Sequence, residues 1–174
     1  YYSVLDAVDD LEDGDTLKLL TDYTITYSSQ AINIKVPNVT LDLNGHNIIS
    51  SASTSPVRCS GAASGTFTIT NSSETESSSI TTDADNQYEY AIAAVSASSN
   101  TSVTVGIGDK VTVDAVRLSS GARMEDTESN RALVAVDGSY DNLYAVTLGN
   151  DKYIYGGSDL SAIDIDAQET GIKA

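Results

Sequence analysis

Few side chains in this sequence have the types and spacing that catalysis requires. His46 is the only histidine, and an imidazole at that position could act as a general base. It follows Asn44 and Gly45, a pair typical of turns, so we expect His46 to occupy a turn position. A zinc site would need several histidine or cysteine ligands, and the chain has one of each. We therefore predict no catalytic residue, no metal site and no cofactor.

Carboxylates are so numerous that pairs of them arise by chance. Asp42, Asp164 and Asp166 each alternate with apolar residues, which predicts outward positions on strands, where they could bind calcium or act on a sugar. The stretch 83–86, Asp-Ala-Asp-Asn, matches part of a calcium loop but lacks its glycine and distal glutamate. Solvated charge is the favoured interpretation of both groups.

Tyrosine is the dominant aromatic residue, with ten copies beside one phenylalanine and no tryptophan. Tyr88 and Tyr90 are two residues apart, as are Tyr153 and Tyr155, so each pair would share one face of a strand. Exposed tyrosines could stack on sugars or on a partner protein. Alternatively, they could pack along the fold. We name these four tyrosines as the candidate ligand-binding residues.

The charge balance excludes several classes of partner. The chain has 174 residues, with 25 acidic and 9 basic residues and a net charge of -16. Such a surface repels nucleic-acid backbones and anionic lipids, so we expect neither nucleic-acid binding nor membrane insertion. No apolar run approaches the roughly 20 residues that a membrane-spanning helix requires.

The single cysteine, Cys59, excludes an internal disulfide bond and alternates with Val57, which predicts a buried side chain. Composition therefore has to indicate the compartment. Few lysines, many serines and threonines and a strong acid excess favour an extracellular or cell-surface bacterial protein.

One amphipathic helix and many short strands are predicted. Over residues 3–13 the apolar residues follow helical spacing, with Ser3 as the N-terminal cap and Gly14 after the end. After that the apolar period is two, which indicates half-buried strands. The inward residues of one strand type are predicted to stack in a column: Val39, Leu41, Leu43, Phe67, Ile69, Val103, Val105, Val146 and Leu148.

Strands of three types recur in a constant order at irregular intervals. The first type is predicted at 31–35, 56–61, 90–95, 131–138 and 161–166, the second at 39–45, 66–71, 103–110 and 144–152, and the third at 47–49, 78–82, 111–113 and 153–155. A coil whose strands stack while its loops vary in length has this pattern. A β-sandwich could contain similar strands, but its hairpin loops would not produce the cycle of three types.

The segment from Ser3 to Ile49 resembles the first turn of right-handed parallel β-helix proteins of the pectate-lyase-like superfamily. It most resembles the β-helix modules of large bacterial surface proteins. The resemblance implies an all-β fold, a right-handed single-stranded parallel β-helix with an N-terminal capping helix. We predict one such domain over residues 1–174, with the helix at 3–13 and a coil of about four to five turns over 16–174.

Enzymes of that superfamily resemble one another in their site motifs, and neither known set occurs here. The hydrolases have paired aspartates with a Gly-His-Gly motif, and the lyases combine calcium-binding aspartates with a basic arginine or lysine. In this sequence four arginines are far apart along the chain, and we expect them to share no position in the strand repeat: Arg58, Arg117, Arg123 and Arg131.

These observations favour a non-catalytic, extracellular, adhesin-type β-helix module for display, spacing or binding of a glycan or protein partner. A polysaccharide lyase or glycoside hydrolase on the same fold stays open, as does a component of a phage or fibre shaft. A coil needs its last row of strands covered. We therefore expect the chain to be a fragment of a longer one, or to form an end-to-end or homo-oligomeric contact at its C-terminal end.

Overall fold

The fold is described from a computed structural model of the protein, over residues 3–61, 63–82, 90–96, 103–114, 116–119, 122–125, 143–148 and 151–156. For the last two ranges only the backbone is described. One α-helix, α1, spans Val4–Asp9, and a short 3-10 helix spans Ser28–Gln30. The strands are β1 (Thr16–Lys18), β2 (Tyr23–Ile25), β3 (Ile32–Ile34), β4 (Thr40–Asp42), β5 (Ile48–Ser50), β6 (Val57–Gly61), β7 (Gly65–Thr70), β8 (Ser78–Thr82), β9 (Ile92–Ser96), β10 (Val103–Ile107), β11 (Val111–Val113), β12 (Val116–Ser119), β13 (Arg123–Glu125), β14 (Leu143–Leu148) and β15 (Asp151–Gly156).

Consecutive strands from β1 to β13 enter three sheets in strict rotation. Sheet 1 has the order β1-β4-β7-β10-β13-β15-β14, sheet 2 the order β11-β8-β5-β2, and sheet 3 the order β12-β9-β6-β3. All pairs up to β13 are parallel. Each passage through the three sheets is one turn of a coil. This architecture is a parallel β-helix, and the predicted fold class is confirmed.

The core consists of columns of apolar side chains inside the coil. In sheet 1, Leu41 pairs with Ile69, and Phe67 pairs with Val105. All four side chains are buried, as are the predicted inward residues Val39, Leu43 and Val103. Alternation along each strand sends every second residue into this interior, and burial of that apolar surface is the main stabilising term.

Side chains also connect neighbouring turns of the coil at the corner between sheets 1 and 2. Asn44 and Gly45 adopt positive φ angles of 50° and 82° there. Asn44 Nδ2 donates to the Leu19 carbonyl oxygen of the preceding turn at 3.0 Å, and Asn71 Oδ1 of the next turn accepts from Gly45 N–H at 2.8 Å. The amides thus satisfy backbone groups that the sheets leave unpaired at the corner.

Helix α1 caps the N-terminal end of the coil, but it ends at Asp9 and not at the predicted Asp13. Ser3 Oγ accepts from Asp6 N–H at 3.1 Å, as the cap prediction requires. Val4, Ala7, Val8 and Leu11 pack against the core and are partly buried. The helix has no basic residue in its last turn. Acidic residues follow it in sequence and are unfavourable near the negative end of the helix dipole, which accounts for the early end.

The prediction for the last two described strands was wrong. Val146 and Leu148 do not continue the column of Leu41, because β14 pairs only with β15, antiparallel and at the edge of sheet 1. The segment 153–155 belongs to β15 in sheet 1, where it pairs antiparallel with β13. Two residues, Gly149 and Asn150, separate these strands. A connection of two residues can join antiparallel strands but is too short to join parallel ones.

The strand cycle was also misread in sheet 3. The fourth strand of that sheet is β12, Val116–Ser119, which the predicted cycle omitted. The predicted strands at 131–138 and 161–166 lie outside the described residues. Across the described part of the chain, no helix is long and apolar enough to cross a membrane.

Candidate functional site

The outer face of sheet 3 carries an unusual set of residues for an acidic protein. Along β6, Val57 and Cys59 point inward and are buried, whereas Arg58 is exposed and Ser60 is half-buried. The same alternation in β12 buries Val116 and Leu118 and directs Arg117 outward. The strand period of two therefore places both arginines on the outside of the coil.

Arg58 and Arg117 share one column of this face. The strand register aligns Asn33 with Arg58, Arg58 with Ala93, and Ala93 with Arg117. Adjacent strands lie 4.7–4.9 Å apart, so the two arginine backbones are about 10 Å apart, with one small side chain between them. The interpretation that these arginines share no repeat position was therefore wrong.

The two other arginines do not join them. Arg123 lies in β13 of sheet 1, opposite Thr104, and its Nε donates to Thr104 Oγ1 at 3.0 Å. Arg131 lies outside the described residues.

A groove of about 490 Å³ follows the column of Arg58 and Arg117. Its lining residues are Asn33, Lys35, Arg58, Ser60, Ala93, Ala94, Val95 and Arg117. Three of the nine basic residues of the chain are among them. Among the described residues that line it, none is acidic. The groove is therefore a local cationic site on a molecule with a net charge of -16.

One of the four candidate tyrosines lies beside this groove. The Arg117 guanidinium carbon is 5.6 Å from the centroid of the Tyr90 ring, within the range of a cation–π contact. Such stacking holds the planar guanidinium in a defined orientation. Tyr88 lies outside the described residues, and for Tyr153 and Tyr155 the structure describes the backbone of β15 alone. Ligand binding by these tyrosines stays a prediction.

His46 lies at the opposite side of the coil, in the corner between sheets 1 and 2. Its N–H donates to the Leu43 carbonyl oxygen at 2.8 Å, which is the expected turn geometry. Its Nδ1 is 3.5 Å from Asp22 Oδ1 of the preceding turn of the coil. His46 thus has a structural role at this corner, away from the groove.

Asp42 is buried and held by several partners, so the interpretation of this residue as a solvated charge was wrong. Its Oδ1 accepts from Asn44 N–H at 3.0 Å and from Ser72 N–H at 2.9 Å, and its Oδ2 lies 3.5 Å from Lys18 Nζ. Burial acts to raise the pKa of Asp42, but the hydrogen bonds from Ser72 and Asn44 and the charge of Lys18 outweigh it and lower the pKa. A carboxylate fixed in this way stabilises the fold.

The remaining candidate acids give no site in the described residues. The groups 83–86, Asp164 and Asp166 lie outside them. Within the described ranges, no three histidine, cysteine, aspartate or glutamate side chains are close enough to share a metal ion.

Comparison with protein-family models, with curated proteins and with solved structures found no match for this chain. The groove on sheet 3 is therefore interpreted from its own residues.

Sequence reasoning missed the groove because unequal loops separate its arginines along the chain. The alternation of apolar residues with arginine in two strands could have predicted it. Val57 and Cys59 flank Arg58 in the same way as Val116 and Leu118 flank Arg117, which marks two outward positions on equivalent strands.

Proposed function

We propose that this protein is a non-catalytic β-helix module that binds an anionic ligand in the groove on the outer face of sheet 3. The observation that carries the proposal is the shared column of Arg58, Ala93 and Arg117. Rigid sheets position side chains more accurately than loops do, so a column on a sheet is a good base for recognition. The coil acts as the scaffold, and the groove is the part that contacts the ligand.

The chemistry of the lining supports binding. Arginine and lysine supply permanent positive charge and hydrogen-bond donors. Asn33 and Ser60 add neutral polar groups, and Ala93 and Val95 add an apolar floor. Hydrolysis of a glycosidic bond typically needs a pair of positioned carboxyl groups, and the lining residues named above include no carboxylate.

We also propose the wider setting in which such a module would work. The helix-capped first turn supports assignment to the pectate-lyase-like superfamily, and the acidic composition supports an extracellular or cell-surface location. In that setting the ligand is a glycan or a partner protein that carries negative groups.

The test is a binding array of glycans and proteins, read beside a screen for polysaccharide turnover. Three proteins are compared: the wild type, Arg58→Gln in the groove, and Arg123→Gln on sheet 1 as a control with the same change of charge. The proposal expects an anionic ligand whose binding is lost in Arg58→Gln and kept in Arg123→Gln. Turnover of a substrate that disappears on mutation of Asp42, His46 or Asp166 would instead show that the protein is an enzyme.

A further inference from the structure

We infer that the ligand group held in the groove on sheet 3 is a tetrahedral oxyanion, the sulfate or phosphate group of an ester. This inference rests on the proposed binding function and names the chemical class of the ligand. It comes from the number and arrangement of the cations around the groove.

Three cationic side chains line the groove, and two of them share one column. Arg58 is on β6, Arg117 is on β12, and Lys35 directly follows β3. Arg58 and Arg117 approach from two sides of Ala93, whose methyl group leaves the middle of the column open. A single anionic group above Ala93 would therefore meet donors from more than one direction.

The geometry of the anion decides between ligand classes. A carboxylate has two oxygens in one plane, and one arginine satisfies both in a bidentate pair. A sulfate or phosphate ester has terminal oxygens that point in three directions, so it can accept from two guanidinium groups and an ammonium group together. Two guanidinium groups on opposite sides of one space, with the Lys35 ammonium group farther along the same groove, fit the tetrahedral group better than the planar one.

The charge of the rest of the molecule limits how the group can be presented. With a net charge of -16, a long uniform polyanion would extend from the groove over repelling surface. A nucleic acid is such a polymer and stays excluded. A short or sparsely substituted glycan places one or a few ester groups in the groove without that penalty, and a free sulfate or phosphate ion has the same local chemistry.

The experiment measures dissociation constants by titration calorimetry at about 0.15 M ionic strength, where the Debye length is about 8 Å. The probes are inorganic sulfate, inorganic phosphate, and dextran oligosaccharides of one length in sulfated, phosphorylated, carboxymethylated and unmodified forms. The proteins are the wild type, Arg58→Gln, Lys35→Gln and the control Arg123→Gln. Thermal melts of all four check folding, and the exposure of Arg58 and Lys35 makes loss of fold unexpected.

The inference expects the sulfated or phosphorylated oligosaccharide to bind the wild type at least about tenfold tighter than the carboxymethylated one, as the extra charge-assisted hydrogen bonds require. Arg58→Gln should remove most of that preference, Lys35→Gln should reduce it, and Arg123→Gln should keep it. Inorganic sulfate or phosphate that binds as tightly as the ester would support the same chemistry and identify the free ion as its source.

Two results would overturn the inference and differ in what they leave standing. Binding of the carboxymethylated oligosaccharide equal to or tighter than the esters, and dependent on Arg58, would refute the tetrahedral class but keep the groove as a binding site. The absence of any Arg58-dependent binding, here and in the array, would refute the proposed function as well.

Discussion

Arg58 and Arg117 lie in one column on the outer face of sheet 3, two strands apart, and Ala93 alone stands between them. The relationship depends on parallel register, because the residues are far apart in sequence. It also makes Ala93 important, since the size of that side chain sets the space between the two guanidinium groups.

Replacement of Ala93 by leucine should close the groove without any change in charge. The larger side chain would occupy the space above the column, so we expect the affinity for the anionic ligand to fall by about tenfold, or about 1.4 kcal/mol. The measurement is the same titration used for the arginine variants. Ala93→Ser is the matched control, because serine stays small, and equal losses in both variants would contradict the role given to this space.

Cys59 should be inert toward thiol reagents in the folded protein. The side chain has no exposed surface, and burial raises the pKa of its thiol from 9.0 to about 12. At mildly alkaline pH the raised pKa alone lowers the thiolate fraction by about a thousandfold. We expect full labelling in denaturant and negligible labelling in native buffer. Prompt reaction of the native protein would show that sheet 3 is not packed as described.

Asp42 should make stability depend on pH at the acidic end. Its pKa is lowered in the folded protein, so its contribution is fully present above the ordinary value of 3.8 and is lost as pH falls through the lower folded value. The check is the free energy of unfolding from pH 6 down to pH 2, compared between the wild type and Asp42→Asn. The gap between the two should be constant at first and then close toward acid, and a gap that widened would have the wrong sign.

The two substitutions Asp42→Asn and Asp42→Ala separate charge from hydrogen bonding. Both backbone N–H groups bond to Oδ1, which asparagine retains, so Asp42→Asn removes mainly the negative charge that the Ser72 side chain and Lys18 stabilise. We expect a loss of about 0.5–1 kcal/mol for asparagine and about 2–3 kcal/mol for alanine, since alanine leaves two N–H groups without their acceptor. Equal losses in urea denaturation at pH 7 would contradict this separation.

Leu11 should contribute to stability as part of the N-terminal cap. It is partly buried against the core, so Leu11→Ala is expected to cost about 1–2 kcal/mol, less than a fully buried leucine. Leu20, which is 81% exposed, provides the control, and Leu20→Ala should leave the midpoint of denaturation nearly unchanged. Indistinguishable midpoints for Leu11→Ala and the wild type would show that the segment does not cap the coil.

The sequence predicted the coil because its inward residues are chemically uniform. Val39, Leu41 and Leu43 alternate with polar residues and are buried, and the recurring order of three strand types favoured a coil over a sandwich. The hairpin of β14 and β15 was missed because alternation is identical in parallel and antiparallel strands. The length of the connection, which consists of Gly149 and Asn150, predicts antiparallel pairing, and the alternation does not.

The groove was harder to predict than the coil. Outward residues have no common type, and Ala93 separates Arg58 from Arg117 in space while the loops separate them irregularly in sequence. A tyrosine candidate, Tyr90, was placed next to the groove through its contact with Arg117, which sequence spacing did not suggest. Register has to be known before outward neighbours can be named.

The hydrogen bonds that asparagine side chains form between neighbouring turns have a consequence for how the molecule would unfold. Gly45 N–H donates to Asn71 of the following turn, and Asn44 donates to Leu19 of the preceding one, so this corner is anchored on both sides. An outermost turn has such support on one side only. Under tension or in denaturant, opening should therefore begin at an end and advance one turn at a time, with the slowest amide hydrogen exchange in the middle of the coil.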